Sequence, residues 1–535
     1  MGSAYTTIAA DILARYARAR GAKAVLVTGT DEHGEKIAAA AAAAGVTPRQ
    51  HVDTVSASFR ALWDQLDVKP DAFVRTTDGK HAALVAEILA RVDAAGDIYQ
   101  ADYEGWYCVG CEEYKDEGDL VGDDKRCPLH DAPAVQRSEA NWFFRLSKYQ
   151  ADVQALLEHD DSDAASPTFL APASRRNEVL TWARGGLRDF SISRAAVAWG
   201  IPLPRDPAQT VYVWFDALLG YASALLADGE TAADLPAKGW PPALHVVGKD
   251  ILRFHAAYWP GMLLSAGLPL PGRVFAHGFL TKDGRKMGKS LGNVVDPSAL
   301  AAAYGADAVR FFLARDVPFG GDGDFSEARF VDGVNAALAN TLGNLVTRSA
   351  SLVHKGFGGA LPVGAGGVGG DAGDPGSLRA AAARGVADAG AAYDSLRLHD
   401  AAAAAVAVAA AGNAALDAAA PWAGLKEGSD PAAVAAAGAA LVAALEAARV
   451  AAVLLAPVTP AFSNAVMVAL GQREGGGEPA WDTAAWGGLA AGTPLPPPRP
   501  LLARLEVAGS APPPPPKVKA PKAKKAKTAA PAGEP

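Results

Sequence analysis

The chain has 535 residues and a formal net charge of −8, too long for one ordinary core and too acidic for a uniformly basic nucleic-acid coat, although charge can still gather into a local basic face. Hydrophobic residues make up 50% of it, but charges, Gly and Pro break every apolar stretch before the ~18 residues of a membrane span, so a soluble chain of several domains and no membrane partner is expected. Its three cysteines fall within twenty residues and form no disulfide framework; a cleavable targeting peptide is not legible at the start, and any such peptide would lie upstream of Met1.

In chain order, Tyr5, Ile8, Ile12, Leu13 and Tyr16 recur at helical spacing, which predicts a helix from Met1 to Gly21 with Ser3 as cap and Gly21 as stop. Residues 22–28 (AKAVLVT) read as a short buried parallel strand ending at a polar turn. From Asp97 to Pro204 short aromatic and polar pieces carry all the cysteines. The runs 210–214 (TVYVW), 243–247 (ALHVV) and 273–277 (RVFAH) then resume as buried strands, which predicts one α/β domain split by an inserted module. From Asp332 onward the chain is Ala-rich and helical, interrupted at 356–376 by a Gly-rich stretch expected to be flexible. Biased base composition accounts for the alanines as well as any structural preference does. After about Thr493 the sequence turns Pro-rich, then ends with Lys517, Lys519, Lys522, Lys524, Lys525 and Lys527 among Ala and Pro, the composition of a disordered tail.

Cys108-Val-Gly-Cys111 and Cys127-Pro-Leu-His130 are two chelating pairs separated by a loop of fifteen residues. This is the spacing of a four-ligand zinc knuckle, and four protein ligands leave no open position for substrate, so the zinc is expected to be structural.

Gly29-Thr30-Asp31-Glu32-His33-Gly34 follows a predicted strand, placing a carboxylate and an imidazole at the carboxyl edge where α/β sheets bind ligands. Taken singly it reads equally as an ordinary polar turn. Lys286-Met287-Gly288-Lys289-Ser290 lies just past the strand 273–277, and two lysines on a Gly-bearing loop suit a lid over a triphosphate. Gly2-Ser3 opens a helix whose N-terminal amides favour a phosphate.

The order Gly-Ser-Ala-Tyr-Thr-Thr, GTDEHG, the Cys/His knuckle, YVWFDALLGY (212–221), GKDILRFH (248–255) and KMGKS (286–290) resembles the methionyl-tRNA synthetases, and most of all the plant organellar form. The match runs from residue 1 to about 350 and more weakly to about 465. The resemblance implies an α/β fold with a Rossmann-type doubly wound parallel sheet, split by a zinc-bearing connective insertion and followed by an all-α anticodon-binding bundle. The corresponding segments are 1–96, 97–204 (insertion), 205–292 (second catalytic half), 293–331 (stem contact), 332–475 (helical domain) and 476–535 (tail).

By the same resemblance Asp31 holds the substrate ammonium, and Trp214, Ala217, Tyr221, Ile251 and His255 line the methionine pocket. Gly2, Gly248 and Asp250 meet ATP, with Lys286, Lys289 and Ser3 in catalysis and magnesium accompanying the nucleotide. Asn344, Arg348 and Trp422 read the anticodon, as single-stranded bases are usually read, by stacking and edge hydrogen bonds. The expected partners are ATP, L-methionine and tRNA(Met). A monomer in chloroplast or mitochondrion is expected, with cytoplasm as the alternative.

The sequence departs from the family pattern at its start, where Met1 stands at the second residue of the first signature and the preceding His and strand are not in the chain. A misassigned start codon is one reading. A catalytically inactive tRNA-binding protein is the other, because a missing central strand would leave its neighbours without ladder partners. Ser3 and Gly288 also replace residues of the commoner signatures, both as in the organellar subgroup. Sister synthetases for Ile, Val or Leu carry a larger editing insertion than the roughly hundred residues available here. A zinc-stabilised nucleic-acid module leaves the paired nucleotide motifs unexplained. The lysine tail either adds weak affinity for the tRNA backbone or serves only solubility.

Overall fold

The computed structural model describes residues 1–507 other than 116, 129–130, 160–167, 196, 283, 288–292 and 473–477, and only the backbone of 103 and 286. His130, Lys289 and the lysine tail therefore lie outside the described residues.

Helix α1 (Gly2–Ala19) buries the stripe Tyr5, Ile8, Ile12 and Tyr16 that its spacing predicts. Ser3 does not cap it: Met1 occupies the cap position without a side-chain hydrogen bond, and Ser3 is exposed within the first turn. The run 22–28 becomes strand only at its end, β1 (Val27–Thr30), because the Leu26 carbonyl accepts the amides of Asp71 and Ala72 just before the ladder begins. After α2 (Glu35–Ala43) and α3 (Pro48–Gln65), opened by a Thr47/Gln50 capping box, β2 (Ala72–Arg75) pairs parallel with β1. Helix α4 (Gly79–Ala94) then buries His81, Leu84, Val85, Ile88, Leu89 and Val92.

The inserted region is antiparallel. Strand β3 (Ile98–Cys108) pairs with β4 (Glu113–Lys115) and, beyond the small hairpin β5 (Arg126–Cys127) and β6 (Ala132–Pro133), with the long β7 (Val135–Phe144). Helix α5 (Gln150–Glu158) leads to β8 (Leu170–Ala171), and α6 (Ala173–Arg184) to β9 (Phe190–Ser191), which joins β7. Strands β10 (Ser193–Arg194) and β11 (Pro202–Leu203) flank β12 (Asp206–Val211), both antiparallel.

The pairing departs from the expected segment limits twice. Residues 210–214 do not rejoin the parallel sheet: β12 ends at Val211 within the inserted region's own sheet, and Val213 already begins α7 (Val213–Leu218). Conversely β8, inside the span expected to be insertion, pairs parallel with the catalytic strand β14, described next.

Past α7 and α8 (Gly220–Ser223) come β13 (His245–Gly248), a π-helical turn Phe254–Tyr258, α9 (Trp259–Ala266) and β14 (Val274–His277). The parallel strands form two pieces, β1–β2 and β13–β14–β8, so β1 has a ladder partner only in β2 and β13 only in β14 among the described residues. Strand β15 (Leu280–Lys282) pairs with β16 (Arg285–Lys286); then α10 (Pro297–Tyr304) and α11 (Ala306–Arg315) lead to β17 (Gly323–Phe325), parallel to β15.

Helix α12 (Glu327–Val334) continues through a π-helical stretch into the expected bundle of α13 (Asn344–Phe357), α14 (Leu378–Asp394), α15 (Leu398–Ala419), α16 (Pro431–Leu455) and α17 (Pro460–Ala469). Small residues let these helices approach closely: a Cβ on Gly412 would stand 2.8 Å from Leu345 and 3.2 Å from the Ala447 methyl. By length and composition α15 and α16 could cross a membrane, contrary to the expectation that no run approaches that length, but 89% of the most apolar window of α16 is buried inside the protein. Its charges are buried as a pair: Glu446 accepts from Arg449 and from the amides of Gly487, Gly488 and Leu489.

Two segments expected to be flexible are packed. Within 356–376 Leu361 and Ala365 are buried and their amides bond the carbonyls of Thr493 and Leu489, while the Trp486 indole donates to Ala365 and Val368. Residues 478–507 run back over the bundle, with Trp481 edge-on to Tyr16 and Asn335 exchanging two hydrogen bonds with Leu505. Gly-rich and Pro-rich composition predicts low helix and strand content. It does not forbid a strap whose apolar residues have a surface to cover.

One buried side chain ties the catalytic region to the bundle. The Arg310 guanidinium, on α11, donates to Asp11 of α1 at 2.7 Å, to Leu66 and Asp67 carbonyls at 3.3 and 3.2 Å, and to Pro457 and Val458 carbonyls at 2.9 Å each. Burial pushes the Asp11 carboxyl up, but Arg310 and Arg15 outweigh it and hold it below its ordinary pKa.

Candidate active site

The turn after β1 carries Asp31, Glu32 and His33, and each does something different. Glu32 is buried and takes hydrogen bonds from Thr30, Thr77 and the Arg75 guanidinium, so it anchors the loop to β2. His33 bonds Asp216 of α7 at 2.6 Å. Asp31 is exposed at the surface, although protein atoms crowd closely around it. Desolvation there, with Asp216, Glu112 and Glu32 nearby as like charges, holds its pKa well above the ordinary carboxylate value against the hydrogen bond from the His33 amide. A carboxyl so placed gains most from a cationic partner.

Opposite this loop, α7, α8 and the π-helical turn assemble the aromatic residues singled out from the sequence. Trp214 stacks on Phe254 with centroids 3.9 Å apart, and its indole N–H points at the Cys111 carbonyl at 3.4 Å. His255 Nδ1 donates to the Ile251 carbonyl at 3.0 Å, which fixes its tautomer, so Nε2 accepts the Tyr221 hydroxyl at 2.7 Å. Burial lowers the His255 pKa to about 4, keeping the ring neutral. Behind it His245, lowered to about 3 by burial and by His255, accepts the Trp259 indole at Nε2. Burial and the nearby Asp31 charge both raise the Tyr221 pKa, so that phenol stays protonated. Ala217 sits on α7 and Ile251 just past β13, and Ile251 meets His255 through its carbonyl.

A second, polar corner lies where β13 and β14 end. A Cβ on Gly248 would fall 2.5 Å from an Asp250 carboxylate oxygen, so only glycine lets that carboxylate fold back over the strand end. His277, the last residue of β14, bonds Thr6 of α1 at 2.6 Å, donating through Nδ1 to Gly278 and accepting the Thr6 hydroxyl at Nε2. This ties α1, one turn after its exposed start at Gly2–Ser3, to the strand end that carries His277 and Gly248. Lys286 closes the β15–β16 hairpin on the same side of the sequence order, its side chain and Lys289 lying outside what is described.

Cys108, Cys111 and Cys127 converge, their sulfur atoms within 4.8 Å of one another. The Cys111 amide points at the Cys108 sulfur at 3.4 Å, and burial with two neighbouring thiols pushes the Cys111 pKa up, an arrangement stabilised by a cation that binds thiolates. His130, the expected fourth ligand, lies outside the described residues.

In the bundle, Asn344 begins α13 exposed, and the half-exposed Arg348 one turn on lies 4.8 Å from the ring centre of Trp422, itself 39% exposed. The sequence-derived trio is therefore gathered on one accessible face. Asp417 holds Arg348 at 2.8 Å, a contact that the sequence did not signal. It also missed Phe254, His277, Thr6 and Trp199. The last of these brackets the Asp31 loop by donating to the Glu32 carbonyl at 2.7 Å and accepting the Gly34 amide at 3.1 Å. Thr6 with His277 and Trp199 with the Asp31 loop pair across more than a hundred positions of sequence, and no local spacing marks any of these contacts.

A carboxyl with a raised pKa and a polar glycine corner at the ends of parallel strands, followed in the chain by a helical bundle, suit a class I aminoacyl-tRNA synthetase. The family described as tRNA synthetases class I (M) matches residues 1–128 and 118–350, and the anticodon binding domain of methionyl tRNA ligase matches 363–509. The chloroplastic/mitochondrial methionine–tRNA ligase of Arabidopsis thaliana is 50% identical over 95% of this chain and 81% of its own length. The methionine–tRNA ligase of Thermosynechococcus vestitus is 48% identical over 94% of both. Among solved structures, Mycobacterium tuberculosis methionyl-tRNA synthetase bound by methionyl-adenylate aligns with a TM-score of 0.85 at 39% identity, covering 94% of this chain and 96% of that one. The chain belongs to the methionyl-tRNA synthetases, ATP-dependent ligases. These matches favour a ligase over the inactive tRNA-binding alternative.

Proposed function

We propose that the protein activates L-methionine with ATP and passes the methionyl group to the 3′ end of tRNA(Met). The observation that carries this reading is the pairing of an ammonium-seeking Asp31 with an uncharged wall of Trp214, Tyr221 and His255. A thioether is soft and polarizable and favours aromatic contact, and a neutral His–Tyr pair offers it polarity without charge.

Asp31 binds the amino group, and the substrate carboxylate then attacks the α-phosphorus of ATP. The bond to the β-phosphate breaks with its electron pair, and pyrophosphate leaves. No covalent enzyme intermediate is needed; alignment and charge stabilisation do the work. Gly248 and Asp250 meet the adenosine, and the amide-rich start of α1 at Gly2 and Ser3 lies beside the phosphates, a place suited to anions. Lys286 and Lys289 supply positive charge to the departing pyrophosphate, and magnesium accompanies ATP. Cys108, Cys111, Cys127 and His130 hold a structural zinc, which supplies a rigid knuckle and no reacting group. Asn344, Arg348 and Trp422 receive the anticodon, Trp422 by stacking. The likeness to the Arabidopsis organellar enzyme supports work in chloroplast or mitochondrion, and we take the protein to act as a monomer.

ATP–pyrophosphate exchange with methionine, leucine, isoleucine and norleucine tests this. Exchange that depends on methionine, with norleucine a weak substitute, is expected. Exchange driven equally by leucine, or none with any amino acid, overturns it.

A further inference from the structure

Asp216 is fully buried, yet it takes no part in the reaction just described. It lies on α7 two residues after Trp214 and next to Ala217, with no exposure to solvent. Its two carboxylate oxygens are each taken by an imidazole from the other half of the catalytic domain. His33 Nδ1 meets Oδ2 at 2.6 Å, and His81 Nε2 of α4 meets Oδ1 at 2.5 Å. The chain of contacts continues from His81 Nδ1 to the Ser223 hydroxyl at 2.8 Å, on the helix after α7. A buried carboxylate is tolerated only when its lone pairs are satisfied, so these bonds are geometrically strict.

His33 is the telling member. Its ring is held by Asp216 and edge-on to Trp199, while its backbone amide donates to the Asp31 carboxylate. One residue thus touches both the amine anchor and the helix that carries the aromatic wall.

We propose that His33, Asp216 and His81 form a positioning clamp that fixes the separation between the Asp31 anchor and the Trp214–Tyr221 wall, and so sets the affinity for methionine. This rests on the ligase reading above. None of the three is a catalytic residue; each acts through Asp31 or through α7. Opening the clamp lets the anchor loop drift from the wall, which weakens ground-state and transition-state binding of the amino acid alike. Uniform binding loss of that kind raises KM and leaves kcat in place. A residue that served only the fold would instead lower the active fraction, and with it kcat, at unchanged KM.

The test is ATP–pyrophosphate exchange on the full chain, titrating methionine and ATP separately. H33A is expected to raise the methionine KM about 10- to 100-fold, the loss of a charge-assisted hydrogen bond, with the ATP KM and kcat within about threefold of the parent. H33N, whose amide N–H can occupy the place of Nδ1–H, is expected to recover most of that loss. D216N, which can accept from only one imidazole, is expected to fall between them and carries the same readout if H33A does not fold. A lowered kcat at unchanged methionine KM, an equal rise for ATP, or no recovery in H33N overturns the clamp. A parent protein without methionine-dependent exchange overturns the ligase reading instead, a result distinct from an active parent whose variants keep their methionine KM.

Discussion

The proposed methionine pocket and the proposed anticodon patch both present aromatic and polar side chains, under different solvent conditions. At the pocket His255 and His245 are buried and Tyr221 is half-buried, and each ring nitrogen or hydroxyl that the structure pairs has one partner, so a small ligand meets groups already held in place. At the patch Trp422 and Asn344 are open to solvent and Arg348 rests between Trp422 and Asp417. Discrimination between amino acids differing by one atom needs desolvated, preorganised groups. Recognition of a flexible loop of bases needs platforms that are reachable and an arginine that can trade one partner for another.

The sharpest way to break that comparison is at the anchor. Asp31→Asn keeps the shape and removes the charge, and kcat/KM for methionine in pyrophosphate exchange should fall about 100-fold, because a charged hydrogen bond to the ammonium becomes a neutral one. An effect under threefold would place the amino group elsewhere.

Trp422→Ala should raise the KM for tRNA in aminoacylation by about tenfold through loss of one base-stacking platform, the defect being confined to the tRNA-dependent step. If amino-acid activation suffers equally, the patch is part of the core and not a docking face.

Acidity should separate the two regions further. The Asp31 carboxyl titrates well above an ordinary aspartate, and only its ionised form pairs with the ammonium. The methionine KM should therefore rise as pH falls through that raised pKa, while His255, lowered to about 4, stays neutral throughout. A pH profile in which KM is flat down to the ordinary aspartate range would show that the surrounding groups do not shift Asp31.

The smallest effect is expected from Arg348→Lys. It keeps the charge and the ion pair but loses the planar contact with Trp422, and should weaken tRNA binding by about 0.5–1 kcal/mol, measured by titration against the parent.

Much of this site was legible before any fold was in view. Asp31, Gly248 and Asp250 sit in short motifs at the ends of parallel strands, where the α/β architecture gathers ligand-binding residues, while Trp214, Tyr221 and His255, on helical segments, were singled out through the family resemblance alone. The helical spacing of apolar residues likewise announced α1, and the Ala-rich composition after Asp332 announced the bundle. What stayed hidden was every pairing across a long separation: His33 with Asp216, Thr6 with His277, Trp199 with the Asp31 loop. Composition misled at the strap, because Pro and Gly report on local backbone preference and say nothing of the apolar surface waiting at Leu361, Ala365 and Leu489. Strand 210–214 misled for a related reason: β-branched and aromatic runs mark a buried strand without saying which sheet takes it.

Arg310 carries a last implication. Four of the five groups it grips are main-chain carbonyls, at Leu66, Asp67, Pro457 and Val458, and any amino acid at those positions offers the same oxygen. At this junction most of the acceptors are insensitive to sequence drift, while one guanidinium supplies all five bonds. Evolution is free to vary the residues around that guanidinium, while the guanidinium itself has no substitute among the other side chains.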